Sequence, residues 1–73
     1  MKIWIAYFAT KEACGRAHID ARTEGINVLV SGVGGRNWDS ESFFLAFGAT
    51  EEDIVPQIQF FTENGASHVG EII

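Results

Sequence analysis

Residues 2–9 (Lys-Ile-Trp-Ile-Ala-Tyr-Phe-Ala) are β-branched or aromatic for the most part, and their apolar positions fall on both parities. A strand covered on both faces has that pattern, so the reading is a central strand. The next stretch, residues 10–25, carries Ala13, Ala17 and Ala21 at a four-residue spacing. Thr10 stands where an N-cap belongs, Glu12 and Arg16 are paired at i,i+4, and Gly25 is placed to close the element. These signals agree on a helix. A competing pattern runs through the same residues: Ala17, Ile19 and Ala21 alternate with His18, Asp20 and Arg22, and Gly15 costs a helix about 1 kcal/mol relative to Ala. The alternative is therefore a β-hairpin over residues 16–33 that turns at Glu24-Gly25.

Residues 26–33 read as a strand with Ile26, Val28 and Val30 on one face. Gly34-Gly35-Arg36-Asn37 breaks it. Residues 42–48 are again apolar at both parities and form the next strand. A helix follows, in which Asp53 as cap leaves Pro56 in the tolerated first turn, and Ile54, Ile58 and Phe61 share a face. Asn64-Gly65 ends it, and residues 67–72 make a last short strand.

The order strand, helix, strand, strand, helix, strand is the ferredoxin-like βαββαβ arrangement of the α+β class. It predicts one domain over residues 1–73, a four-stranded antiparallel sheet with both helices on one face. The hairpin alternative gives five strands and one helix. In this arrangement Ile3, Ile5, Tyr7, Val28, Val30, Phe43, Leu45 and Phe47 are expected beneath the helices. Trp4, Ala6, Phe8, Leu29 and Phe44 are then expected on the face the chain leaves bare. Trp4, Phe8 and Phe44 become a candidate apolar interface, through which two copies could also pair.

Charge sharpens this picture. Lys2, Lys11, Arg16, Arg22 and Arg36 all lie in the first half, against Glu12, Asp20 and Glu24. From Asn37 onward there are seven acids and no Lys or Arg. A surface without cations cannot neutralise phosphates, so direct nucleic-acid binding by the second half is excluded. RNA-recognition domains of this fold also put aromatics on the central strands, but their basic-aromatic signature is missing from residues 42–48. Asp39, Glu41, Glu51, Glu52, Asp53 and Glu63 instead form a candidate docking set for a protein with a basic surface. The plainer account of the same residues is a solvated face and a helix N-terminus.

No motif commits the chain to a reaction, and no cofactor is implied. Ser31-Gly32-Val33-Gly34-Gly35-Arg36 has the look of a phosphate cradle but lacks the third glycine of a dinucleotide fingerprint and the lysine of a P-loop, so a hairpin loop is expected at 32–37. Cys14 and His18 share a helix face, yet two ligands make no metal site. A nucleophile pair also needs an orienting third group, for which Asp20 or Asp39 is the candidate. A small buried Cys and a surface His are the expected reading. The single Cys excludes an internal disulfide. The apolar opening is too short to span a bilayer, so a cytoplasmic, membrane-free protein is expected.

In size and acidity the whole chain resembles phage-encoded inhibitors of bacterial defence systems, anti-CRISPR proteins among them. That resemblance implies a non-catalytic inhibitor or adaptor whose carboxylates imitate phosphates. The alternative is a ferredoxin-like dimer that encloses a small ligand, similar in plan to amino-acid-sensing domains and small α+β-barrel enzymes. The glycine expected in the first strand-to-helix loop of the sensing domains is absent from Ala9-Thr10-Lys11-Glu12.

Overall fold

Thr10 decides where the first helix begins. Its Oγ1 accepts from the Ala13 N–H at 3.1 Å, and the chain leaves β1 (Lys2–Phe8) directly into α1 (Lys11–Thr23). The helix stops at Gly25, which takes φ +81°, while Ile26 N–H donates to Ala21 O and Gly25 N–H to Arg22 O. That pair of bonds is the Schellman closure, which only a left-handed residue permits without strain. The hairpin alternative over 16–33 is thereby overturned: cap, alanines and terminal glycine act together and outweigh the alternation. Thr10→Ala is expected to cost about 1 kcal/mol in urea unfolding, with Thr10→Ser restoring most of it.

The computed structural model describes residues 1–33 and 43–72. Beyond α1 come β2 (Asn27–Val33), β3 (Phe43–Ala49), α2 (Ile54–Glu63) and β4 (His68–Ile72). The strands form one antiparallel sheet in the order β2-β3-β1-β4, so the architecture is the expected α+β, ferredoxin-like one. Pro56 sits in the first turn of α2 as expected. The capping differs in detail: the Asp53 side chain makes no cap, and Thr50 Oγ1 instead accepts from Asp53 N–H at 3.2 Å. Gly65, at φ +96°, closes α2 with the same paired bonds that close α1, here to Phe61 O and Thr62 O.

The core lies between the sheet and both helices. Phe8, Leu45, Phe47 and Phe61 are its largest fully buried side chains. The Phe61 ring packs 4.6 Å from Phe47 and edge-on to Phe8 at 6.5 Å, fastening α2 across the two central strands. α1 presents Ala17 and Ala21, both fully buried, so its backbone can approach the sheet closely. Trp4 and Val28 pack against this cluster from its edges.

This packing corrects the expected faces. On β1 it is Trp4, Ala6 and Phe8 that lie beneath the helices, and Ile3, Ile5 and Tyr7 that point away. The register explains why: Ala6 pairs with Leu45 and Trp4 with Phe47, and directly paired antiparallel residues share a face. Once Leu45 and Phe47 take the core, β1 has no choice of parity. On β2 the register slips between Val28 and Val30, leaving Leu29 as an extra residue. One extra residue flips every later side chain to the opposite face, so Val30 leaves the core and stands 54% exposed. Phe43, Leu45 and Phe47 are placed as expected, and so is Phe44.

Candidate functional site

The face of the sheet away from the helices is built by alternate residues of all four strands. β1 contributes Ile3, Ile5 and Tyr7, and β3 contributes Phe44, Ala46 and Gly48. β2 adds Asn27, Val30 and Gly32, and β4 adds His68, Gly70 and Ile72. Ile3 is 45% exposed and Ile72 42%, although both belong to strands of the sheet. Among the described residues this face carries no Asp, Glu, Lys or Arg. A charge-free, apolar face of this extent is unusual on a small acidic chain.

Three glycines give the face its relief. A Cβ on Gly32 would meet the Phe44 ring at 2.9 Å, and one on Gly70 would meet His68 Nε2 at 3.0 Å. A Cβ on Gly48 would collide with Met1 Sδ. Each glycine is thus roofed by a large side chain lying across it, and the surface is flattened where a bulky residue would otherwise stand proud. His68 also lies against the Tyr7 ring, with centroids 6.1 Å apart. It is half-buried because Gly70 gives its ring somewhere to lie.

Of the candidate apolar interface, Phe44 is on this face. Phe8 is fully buried beneath the helices, and half-buried Trp4 packs against the core, so neither belongs to it. The residues that sequence reasoning missed are Ile3, Ile5, Tyr7, Val30 and Ile72. The usable signal was in β3, where Phe43, Leu45 and Phe47 are uniformly large and the intervening Phe44, Ala46 and Gly48 diminish along the strand.

The candidate acidic set divides. Glu51, Glu52 and Asp53 are consecutive and exposed in the turn that leads into α2. Glu63 is at the other end of α2, about 15 Å away along its axis, and accepts from Gln59 Nε2 at 3.0 Å. Asp39 and Glu41, with most of the glycine-rich loop, lie outside the described residues. The acidic turn follows Ala49, which pairs with Lys2, so it belongs to the end of the sheet where β1 starts and β4 finishes. Glu71 is at that end too, 3.4 Å from Lys2 Nζ. That pair stands on the helix side of the sheet, since Glu71 pairs with Trp4 and Lys2 with Ala49, so the carboxylates at this end of the bare face are the three of the turn.

Cys14 is buried, its Sγ 3.7 Å from Phe44 O, and burial pushes its thiol pKa upward. A thiol held protonated in this way is a poor nucleophile. His18 lines a hollow beside α1. Among the described residues no three His, Cys, Asp or Glu converge on a metal position, and no helix is long and apolar enough to cross a membrane. Comparison of the chain with protein-family models, with curated proteins and with solved structures returned no match.

Proposed function

We propose that this chain is a small, non-catalytic, protein-binding module of the inhibitor or adaptor kind, acting in the cytoplasm. It docks through the bare sheet face on a protein whose matching surface is apolar with a basic border. The observation that carries this reading is the juxtaposition of an apolar face without Asp, Glu, Lys or Arg and the exposed turn Glu51, Glu52 and Asp53 at one end of the sheet. Interfaces of this kind have an apolar centre that supplies affinity and a polar rim that selects the partner. The carboxylates attract a basic surface over several ångströms and speed encounter, while the face supplies the desolvation that holds the complex.

Size bears on the reading. Four strands about 4.8 Å apart and six residues long present a footprint of roughly 400 Å², against a usual contribution of about 800 Å² per partner. The face therefore needs its rim, and the acidic turn is the part of the rim with a definite sign. Occlusion of a basic groove built for nucleic acid, in the manner of phage anti-defence inhibitors, is the specific form of this activity that the acidity suits.

The same charge-free face favours a second reading, a dimer in which two sheets meet and enclose a small ligand. Sedimentation of the isolated chain, combined with affinity capture from its native cells, separates the two. The docking reading expects a monomer that retains a basic protein, with retention lost at high salt and in the E51K/E52K/D53K variant. A dimer indifferent to salt and to that variant would replace it with the second reading.

A further inference from the structure

A second surface lies on the opposite flank, where α1 runs beside the outer edge of β2. Lys11, Gly15, His18 and Arg22 recur at i, i+4, i+7 and i+11, so they share one side of α1. Lys11, Gly15 and His18 line a hollow of about 240 Å³ whose other wall is Ser31, Gly32 and Val33 of β2. Arg22 lines a second hollow further along, against Asn27 and Val28. The acidic residues of α1, Glu12 and Asp20, are on other sides of the helix. In a chain of net charge −5, this channel is lined by cations and by no carboxylate among the described residues.

β2 is an edge strand, and among the described residues nothing pairs with its outer side. Edge strands are normally guarded by Lys, Pro or a covering element. β2 has no charge and no Pro, and among the described residues its guard is the bulge at Leu29. Beyond the bulge, Val30–Val33 runs regularly against β3. Gly15 adds to this. It costs α1 about 1 kcal/mol, yet among the described residues a Cβ there would meet nothing within 4 Å, so their packing does not require it. A glycine there leaves room for a side chain from outside.

The geometry points to an extended acidic peptide segment as the occupant, added to β2 as a fifth strand with its carboxylates turned to Lys11 and Arg22. Strand addition satisfies the free backbone groups of the edge, and the alternation of a strand puts every second side chain in the channel. Lys11 and Arg22 are about 16 Å apart along α1, which an extended chain spans in about five residues. A second copy of this chain is the wrong partner. Its β2 brings no carboxylate, and pairing edge to edge would set two cationic α1 stripes side by side. This surface is separate from the bare sheet face, so each reading stands or falls on its own test.

The test is fluorescence anisotropy with a labelled, end-capped seven-residue peptide alternating Glu and Val. Binding is expected, weakened at least tenfold in the K11E/R22E variant and abolished when alternate peptide amides are N-methylated in the frame that faces β2. The corresponding Lys–Val peptide should not bind. Equal binding of the N-methylated peptides in both frames, or of the Lys–Val peptide, would overturn strand addition. Absence of any binding would overturn it too, as would tighter, Arg22-dependent binding of single-stranded oligouridylate, which would assign the channel to nucleic acid.

Discussion

Phe61→Ala is expected to remove most of the stability of this chain. Phe61 is fully buried and touches the rings of Phe8, Phe47 and Phe60, so it is the side chain through which α2 is joined to the two central strands. Truncating a buried Phe to Ala costs about 3–5 kcal/mol, because transfer energy is lost and a cavity remains. A chain of 73 residues has on the order of 4–11 kcal/mol to lose. Urea denaturation followed by tryptophan fluorescence should show the midpoint collapsing, since Trp4 packs against the same cluster. Phe60→Ala, at a half-buried position, should cost clearly less. Similar losses for the two variants would mean that Phe61 is not the keystone its burial implies.

Ile5→Asp is the second large effect, and it falls on binding. Ile5 is on central strand β1, between Ala46 of β3 and Gly70 of β4, in the middle of the bare face. A carboxylate there would be desolvated by any partner seated on the face and would find no cation among the described residues around it. Burying an unpaired charge at the centre of an interface costs several kcal/mol, so affinity for the captured partner should fall more than 100-fold. The loss should lie in faster dissociation, whereas the E51K/E52K/D53K variant should chiefly slow association. Surface plasmon resonance distinguishes the two, with Ile5→Val as the conservative control. Unchanged binding by Ile5→Asp would exclude the face as the docking surface, whatever the acidic turn does.

The elements and their ends were legible in the sequence because their signals are local. Thr10, Gly25, Pro56 and Gly65 each act on their own turn of backbone, and the structure uses all four where the sequence put them. The order of elements then left few topologies to choose from. What the sequence could not disclose is set by pairing across the sheet. β1 is apolar at both parities, so its own alternation contains no information about which side meets the helices, and the decision comes from register with Leu45 and Phe47 on β3. The bulge at Leu29 is equally silent, since Val28, Leu29 and Val30 look alike one residue at a time. These two features moved the candidate surface from Trp4 and Phe8 to Ile3, Ile5, Tyr7 and Val30. The acidic set was visible as composition, but only the length of α2 reveals that Glu63 stands apart from Glu51, Glu52 and Asp53. The cationic side of α1 was hidden by the same reliance on totals, because a net charge says nothing about which helix face carries each sign.

The roofed glycines bear on how this sheet can vary. Gly32 with Phe44, Gly48 with Met1 and Gly70 with His68 each divide a fixed allotment of volume between two neighbours. Enlarging one member alone wedges the other upward, roughening the surface proposed to meet a partner. Enlarging one while trimming the other, as in G32A with F44L, conserves the sum and keeps the contour. Change at these places should therefore come in matched couples, and a lone side chain gained at any of the three would be felt first by whatever rests against the sheet.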